Sequence, residues 1–247
     1  MAFSPLGPAG QAALRAGRVL VVGVGGLGSW TAELLARAGV GLLRLVDGDA
    51  VDLTNLHRQS LYDESDAAAG AAKVQAARRR LGRINAGVAV QAVPRRLGRD
   101  NALALAADVD LIVDGTDNWA TRLLLNDLAV KLHRPWIFAG VVGAEAQTMT
   151  VLPGRSACLR CIMDAPPPRC QDPTCDGFGV LGPAVSAIAS FQAAEAIKVL
   201  AGRLDQVSPY LTKIDLWANS LRRIDVSAAR DPQCACCGRG DLEYLEP

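Results

Sequence analysis

The sequence predicts a doubly wound α/β fold in which a mostly parallel sheet is extended by antiparallel strands. An apolar run over 19–22, mostly of β-branched valine, passes through a glycine-rich turn into a helix-forming segment that ends near Gly39, and a second apolar run follows over 42–46. Further strands are predicted over 88–93, 111–113 and 136–141, with helical segments between them over 101–107 and 118–132. Because strands and helices alternate in this way, we expect the core of the chain to be a Rossmann-like sheet.

The second half of the chain departs from this alternation. Apolar runs over 147–152, 211–216 and 221–226 are not separated by helices in the same way, so we expect antiparallel strands there. Gly182 and Pro183 open a long helix, since proline is favoured in the first helical turn. The apolar part of that helix is interrupted by Ser and Gln and is shorter than the ~20 apolar residues of a membrane span. We therefore expect no association with a membrane.

Composition narrows the classes of function. The 247 residues carry a net charge of +1, which gives no overall attraction to nucleic acid or to a membrane surface. We find no basic and apolar regions of a signal peptide at the N-terminus. Seven cysteines without a secretion signal are typical of metal binding or catalysis in a reducing compartment. We therefore expect a cytoplasmic protein that does not bind nucleic acid.

The glycine-rich turn after the first strand contains Gly23, Gly25, Gly26 and Gly28. Glycine allows the backbone to approach the phosphates of a ligand, and the helix that follows offers unpaired N–H groups and a partial positive charge to an anion. Asp47 ends the second strand nineteen residues after Gly28, about where a ribose-binding carboxylate is expected. The pattern predicts a nucleotide-binding βαβ unit, and the alternative is a tight strand–helix turn without a ligand.

Polar residues at the carboxyl ends of predicted strands complete a candidate phosphate site. The segment 48–59 follows the second strand at the rim where open parallel sheets bind ligands, and it supplies Asp49, Asn55, Arg58 and Gln59. Lys73 lies in a helix predicted over 68–81, and the strand over 111–113 is followed by Asp117 and Asn118. Two cations suit the charge of a triphosphate, and Asp117 is a candidate Mg²⁺ ligand.

Each of these residues also has a simpler explanation. Asp117 and Asn118 are equally consistent with a helix N-cap alone, and Arg58 and Lys73 with ordinary surface charges. A cluster of arginines on the predicted helix favours a solvated helix face over phosphate contact; it comprises Arg78, Arg79, Arg80 and Arg83. The predicted phosphate site therefore depends on the combination of residues.

Two cysteine pairs predict a structural metal site. They are Cys158-x-x-Cys161 and Cys234-x-x-Cys237, and Cys234 lies 73 positions after Cys161. Two such pairs complete a tetrahedral four-thiolate shell for Zn²⁺, which leaves no open position for catalysis. The rival, a redox pair, is disfavoured because neither pair is predicted to open a helix after a strand. Cys236 has no assigned role.

Cys175, with Cys170 nearby, lies in a loop predicted over 164–179, just before the long helix. A thiol near a helix N-terminus can have a lowered pKa and act as a nucleophile. An unreactive loop cysteine explains the same position equally well.

Together these motifs resemble those of the ubiquitin-activating-enzyme-like adenylyltransferases. The resemblance rests on GVGGLG (23–28), LVDGDAVDLTNLHRQ (45–59), Lys73, DGTDN (114–118), CLRC (158–161), GVLGPAVSAIASFQAAEAIKVLAG (179–202) and CACC (234–237). It extends from about Gly10 to Gly238. The most similar type is the bacterial enzyme that activates the ubiquitin-like sulfur carriers of thiamine or molybdopterin synthesis.

The resemblance implies an ATP- and Mg²⁺-dependent nucleotidyltransferase. The C-terminal glycine carboxylate of a carrier protein ending in Gly-Gly would attack the α-phosphate of ATP, so that pyrophosphate leaves and an acyl-adenylate forms. Asp47 would hold the ribose hydroxyls, the 23–28 loop the phosphates and Asp117 the Mg²⁺, while the triphosphate would be contacted by Asn55, Arg58 and Lys73. Cys175 would correspond to a loop cysteine that bonds covalently to the carrier in some members.

The resemblance also implies the organisation of the chain. We expect one adenylation domain over 1–247. Its first part (1–17) is expected to be irregular because it is rich in Pro, Gly and Ala, apart from a helical turn around 11–15. A nucleotide-binding core (18–152) follows, and then a C-terminal part (153–247) that carries the cysteine knuckle, the crossover loop, the long helix and the antiparallel strands. A homodimer is expected. Since no sulfurtransferase domain follows Cys237, a sulfurtransferase or cysteine desulfurase would perform any later sulfur transfer.

The N-terminal segment departs from the family pattern. Members usually begin with an arginine-bearing segment that reaches into the nucleotide site of the other subunit, whereas this chain has Phe3, Ser4 and Pro5 there. Either that arginine is dispensable, or Arg15 or Arg18 replaces it, or the true start lies upstream.

Three other functions stay open at this point. An NAD-dependent oxidoreductase would explain the glycine turn and Asp47 but leaves the cations, Asp117 and the cysteine pairs unused. A non-catalytic relative that binds the carrier, or that pairs with an active subunit, would explain the missing arginine segment. A relative that acts on a tRNA-bound carboxylate is disfavoured by the near-neutral charge and the cysteine pairs.

Overall fold

The computed structural model describes residues 3–163 and 179–246, and its strands form an eight-stranded sheet. The strands are β1 (Arg18–Val22), β2 (Leu42–Val46), β3 (Ala89–Val93), β4 (Leu111–Asp114), β5 (Trp136–Val142), β6 (Glu145–Val151), β7 (Tyr210–Asp215) and β8 (Ser220–Asp225). Their spatial order is β3-β2-β1-β4-β5-β6-β7-β8. The pairs from β3 to β5 are parallel and those from β5 to β8 are antiparallel, as the sequence predicted.

Helices cover both faces of the sheet. They are α1 (Gly7–Ala16), α2 (Gly26–Ala38), α3 (Glu64–Ala68), α4 (Lys73–Ile84), α5 (Arg99–Ala106), α6 (Trp119–Leu132), α7 (Leu159–Ile162) and α8 (Gly182–Leu200). The core on one face is formed with α1, α2, α4 and α8, and the core on the other face with α5, α6 and the C-terminal segment. None of the described helices is long and apolar enough to cross a lipid bilayer.

Burial on both faces explains why β1 reads as a continuous apolar run. Successive side chains of a strand point to opposite faces. Accordingly, Val19 and Val21 pack on the α2 side, whereas Leu20 and Val22 pack on the α6 side. Full burial of one such side chain stabilises the fold by about 1.5–3 kcal/mol.

Two local predictions were wrong. Residues 7–16 form α1 over a segment that was expected to be irregular except for a turn around 11–15; the helix is longer because Pro8 fits its first turn and Leu14 is fully buried against the core. The helix predicted over 68–81 is interrupted at Gly70, which has a positive φ of 57°, so that α3 ends before it and α4 begins only at Lys73. The predicted loop 164–179 lies outside the described residues except for Gly179.

Candidate functional site

A cleft runs along the carboxyl edge of the parallel strands. Because β1 lies between β2 and β4, the segments that follow these three strands meet there. The cleft has two lobes of about 360 Å³ and about 270 Å³. Both lobes are lined by Gly25, Asp49, Lys73, Gly115, Thr116 and Asp117. The first lobe adds Gly23, Asp47, Arg96 and Asn118, and the second adds Gly26, Asn55, Arg58, Gln59, Arg122, Val141, Val180 and Val185.

The glycine turn packs backbone to backbone against the loop after β4. Gly23 has a positive φ of 79°, and a Cβ on it would lie 2.6 Å from the carbonyl oxygen of Gly115. A Cβ on Gly28 would overlap the carbonyl oxygen of Gly23. Gly28 lines neither lobe, so the structure gives it a packing role. The N-cap of α2 is Gly25, which has no side chain to occupy the N–H groups of the first turn.

Asp47 is held at the end of β2 by two backbone amides. Val24 N donates to its Oδ2 at 2.7 Å and Asp49 N donates to its Oδ1 at 2.8 Å. Each carboxylate oxygen has a further lone pair for a ligand hydroxyl. The position therefore suits the ribose contact that the sequence predicted.

Lys73 brings a nearly buried positive charge to the cleft. Lys73 is 7% exposed to solvent, and its Nζ lies 3.2 Å from Asp49 Oδ2. Arg96 contacts the other oxygen of Asp49 at 3.1 Å. Burial alone would raise the pKa of Asp49, but Lys73 and Arg96 outweigh it and hold that pKa below its ordinary value. Of these two cations, Lys73 lines both lobes and Arg96 lines the first. In the second lobe Arg58 and Arg122 join Lys73, so cations outnumber the carboxylates of Asp49 and Asp117 there.

A 3-10 helix, Leu53–Arg58, presents Asn55 and Arg58 to the second lobe. Arg58 Nη2 donates to Asn55 Oδ1, and the carbonyl oxygen of Arg58 accepts a hydrogen bond from Trp30 Nε1 at 3.1 Å. Helix α8 approaches this segment closely at Gly182, where a Cβ would lie 2.6 Å from the carbonyl oxygen of His57. The buried Gln59 also lines the lobe, and its Oε1 has no hydrogen-bond partner among the described residues.

Asp117 and Asn118 have different roles in the structure. Asn118 is the N-cap of α6, and its Oδ1 accepts from Thr121 N at 2.9 Å. Asp117 is exposed in the cleft, and within residues 3–163 and 179–246 its carboxylate has no hydrogen-bond or ion-pair partner. Only Asn118 is therefore explained by capping, and the Asp117 carboxylate faces the cleft as a potential Mg²⁺ ligand.

Arg122 is a cleft residue that the sequence reasoning missed. It is 7% exposed, its Nη2 donates to the carbonyl oxygen of Thr116 at 2.9 Å, and its Nε lies 3.7 Å from Asp114 Oδ2. Its guanidinium lies over the rings of Trp119 and Phe138, at 5.0 Å and 5.5 Å from their centroids. Arginine at this position of α6, directly before three consecutive leucines, was the available signal. Arg96, the other missed cation, had none.

Asp114, beside Arg122, is fully buried at the end of β4. Burial raises the pKa of Asp114 to about 6, although Arg122 and hydrogen bonds from Thr116 act in the opposite direction.

Gln192 of α8 fixes the end of β4 from below the cleft. It is fully buried, and its Nε2 donates to the carbonyl oxygens of Asp114 at 2.8 Å and Ile137 at 3.0 Å. Its Oε1 accepts from Thr31 Oγ1 at 2.7 Å. One amide thus joins α8, α2, β4 and β5 immediately before the loop that carries Asp117.

The four predicted thiols converge on the far side of the sheet from α8. The Sγ atoms of Cys158, Cys161, Cys234 and Cys237 all lie within 4.8 Å of one another. The Sγ atom of Cys158 lies 3.8 Å from that of Cys161 and 3.7 Å from that of Cys234, and the Sγ atoms of Cys161 and Cys237 are 3.3 Å apart. A tetrahedral Zn²⁺ with Zn–S bonds of about 2.3 Å separates its ligands by about 3.8 Å, so the donor set fits this ion.

One argument against a redox role was wrong. Cys158 is the N-cap of the one-turn helix α7, so the first pair does open a helix. The convergence of four thiols now provides the argument for a metal, since a redox pair needs only two. Cys170 and Cys175 lie outside the described residues, and the nucleophilic role of Cys175 stays a prediction.

The remaining arginines lie away from the cleft. Arg18 binds Asp108 at the amino end of β1, which is opposite the glycine turn, so it cannot reach the cleft of its own chain. Arg15 lies in α1 and lines neither lobe. The arginine cluster of α4 is exposed and lines neither lobe, as expected for a solvated helix face.

The fold and the cleft define a class: Rossmann-type α/β proteins with a glycine turn between the first strand and the helix that follows it, and with a four-thiol cluster. The chain belongs to the ThiF family, whose model matches residues 1–236.

Two relatives are named for the same activity. The sulfur carrier protein ThiS adenylyltransferase of Bacillus subtilis (strain 168) is 40% identical over 243 residues, which cover 98% of this chain and 71% of that protein. The sulfur carrier protein adenylyltransferase of Thermus thermophilus is 38% identical, over 96% of this chain and 88% of that protein. Both relatives are nucleotidyltransferases by name.

A solved structure supports the fold. The crystal structure of E. coli MccB with ATP matches 93% of this chain and 69% of its own chain with a TM-score of 0.80 and 23% identity.

Proposed function

We propose that this protein adenylates the C-terminal glycine of a ubiquitin-like sulfur carrier protein ending in Gly-Gly, in thiamine or molybdopterin synthesis, with ATP as the second substrate. The observation that carries the proposal is the single cleft in which the glycine turn, Asp47, Arg58, Lys73 and Asp117 meet. Two adenylyltransferase relatives at 38% and 40% identity support it.

The two lobes suit the two substrates. Asp47 would hold the ribose hydroxyls in the first lobe, while the free amides of α2 and the cations Lys73 and Arg58 would hold the triphosphate. The second lobe, which contains Arg58, would hold the end of the triphosphate and would receive the carrier tail along its apolar wall of Val141, Val180 and Val185. In this arrangement the tail and the α-phosphate meet over the glycine turn.

Positioning and charge neutralisation would perform the reaction. A carboxylate oxygen of the carrier forms a bond to the α-phosphorus, the bond from that phosphorus to the bridging oxygen breaks, and pyrophosphate leaves with the electron pair. Lys73 and Arg58 would stabilise the charge on the leaving group, a task for which fixed cations in a partly dry site are effective. The exposed Asp117 carboxylate suits a Mg²⁺ ion, which supplies further neutralisation when bound.

Several further features belong to the proposal. The cysteine cluster would hold a structural Zn²⁺ in the cytoplasm, where thiols stay reduced. We also propose a homodimer and a sulfurtransferase or cysteine desulfurase as a later partner, on the resemblance to the family alone.

Carrier-dependent exchange of labelled pyrophosphate into ATP tests the function. We expect exchange with the wild-type chain and a loss of at least about 100-fold in Asp117→Asn, the usual scale for removing one group that stabilises transition-state charge. Asp205→Asn is a matched control, since Asp205 is exposed outside both lobes. Absence of exchange with every Gly-Gly carrier, or binding of NAD in place of ATP, would contradict the proposal.

A further inference from the structure

Asn126 is a buried residue of α6 that contacts both cysteine pairs. It is fully buried, and its Oδ1 accepts from Leu159 N at 2.8 Å. Its Nδ2 donates to Cys236 Sγ at 3.3 Å. Leu159 follows Cys158 directly, and Cys236 directly precedes Cys237. A single amide therefore joins two segments that come from distant parts of the chain.

Cys236 lies directly beside one of the metal ligands, since its thiol is hydrogen-bonded to that of Cys158. Its thiol is fully buried and lies outside the group of four converging Sγ atoms. It also contacts α6, where its sulfur accepts a hydrogen bond from Asn126. This contact accounts for the fifth cysteine of the cluster region, to which sequence reasoning assigned no role.

We propose that Asn126 and Cys236 form an outer shell that preorganises the four-thiol metal centre by holding its two halves together before the metal binds. The inference rests on the proposed Zn²⁺ centre. This amide bracket, formed by Asn126 with Leu159 and Cys236, holds close together two cysteine pairs that lie 73 positions apart in the chain, so that less loop-closure entropy is lost when the metal binds. Outer-shell partners of metal ligands typically contribute about 10- to 100-fold to metal affinity.

Other contacts keep the C-terminal segment in place when the bracket is removed. Asp127 Oδ2 accepts from Tyr244 N at 2.9 Å, and Arg99 donates to the carbonyl oxygens of Tyr244 at 2.8 Å and Glu243 at 2.6 Å. Loss of the Asn126 amide should therefore weaken the metal site without releasing the segment from α5 and α6.

Competition for Zn²⁺ against a chromophoric chelator tests the inference on the full chain. We expect Asn126→Leu to bind Zn²⁺ about 10- to 100-fold more weakly than wild type. Asn85→Leu is the matched control and should bind like wild type, because Asn85 also makes two hydrogen bonds, to Ala36 O and from Gly87 N, but far from the cluster. Equal affinities of Asn126→Leu and wild type would overturn the inference.

Variants at Cys236 keep the inference testable even if Asn126→Leu folds poorly. Cys236→Ser keeps an acceptor for the amide and should retain more affinity than Cys236→Ala. The Co²⁺-loaded Cys236→Ser chain should keep the thiolate charge-transfer intensity of wild type, whereas a loss of about a quarter would make Cys236 a ligand and overturn the outer-shell role. A wild-type chain that binds neither ion would contradict the metal centre itself, and the inference with it.

Discussion

Replacing Gln192 with leucine should destabilise the chain strongly, because its amide is the buried link between α8, α2, β4 and β5. The change leaves the carbonyl oxygens of Asp114 and Ile137 without their amide donor. A buried polar group that loses its partner costs about 1–3 kcal/mol, so two carbonyls predict a fall of about 2–6 kcal/mol in the free energy of unfolding. Thr31 can turn its hydroxyl to a carbonyl of its own helix and adds little.

Urea denaturation followed by circular dichroism measures this change. Gln11→Leu is the matched control, since Gln11 makes one part-buried hydrogen bond, from Nε2 to Ala38 O at 2.9 Å, and should lose about 0.5–1.5 kcal/mol. A loss below about 1 kcal/mol in Gln192→Leu would refute the reasoning, because it would mean that the two carbonyls do not depend on the amide.

Gln192→Glu adds a pH dependence to the same test. The introduced carboxyl keeps an acceptor for Thr31, but only its protonated form can donate to one of the two carbonyls. Its ionised form faces two carbonyl oxygens in a buried site, so its folded-state pKa is raised. Stability relative to wild type should therefore fall as pH rises, and a difference that is constant between about pH 4.5 and 7.5 would contradict this.

Three further predictions concern the cleft. Burial raises the pKa of Asp114 to about 6, so its contribution to the free energy of unfolding is complete below its unfolded pKa and is lost as pH rises from about 4 through 6. In urea denaturation, Asp114→Asn should therefore lack this fall in stability. Parallel pH profiles of the free energy of unfolding in Asp114→Asn and wild type would contradict the prediction. Gly28→Ala should destabilise the fold severely, since its methyl group would overlap the carbonyl oxygen of Gly23. In Gly82→Ala the new methyl group meets no atom within 4 Å, so this change in α4 should raise the stability measured by thermal unfolding by about 0.5–1 kcal/mol. Similar effects of the two changes would be inconsistent with close backbone packing at Gly28. Lys73→Met should fold, because a buried charge is removed, yet should lower pyrophosphate exchange at least about 100-fold, and an unchanged rate would remove Lys73 from the site.

The strands of the parallel half were predictable for a physical reason. A strand such as β1 is covered on both faces and therefore reads as an uninterrupted apolar run. Only a turn of helix α1 was predictable, because its Pro- and Gly-rich sequence gains stability from the burial of Leu14 and not from helix propensity. The start of α4 at Lys73 was missed since only the turn at Gly70 reveals it.

The candidate site was predictable where residues stand next to a motif. Asp47 and Asp117 follow strands closely in the sequence. Lys73 was found because a second cation beside Arg58 suits the charge of a triphosphate. Arg122 depends on ring faces from α6 and β5, whose proximity only the tertiary structure establishes. Arg96 depends on a contact with Asp49 across 47 residues. Such long-range pairs leave no local pattern in a single sequence.

The direct packing of the glycine turn on the loop after β4 has an implication for adaptation. The two segments share a seam of main-chain atoms, into which no side chain fits at Gly23, Gly28 or Gly115. A larger residue at any of these three glycines would disrupt the backbone packing, so this side of the cleft, its floor, cannot change its shape by substitution. New preferences for an acyl substrate must therefore arise on the opposite wall, where Val180 and Val185 can change in size while the floor stays constant.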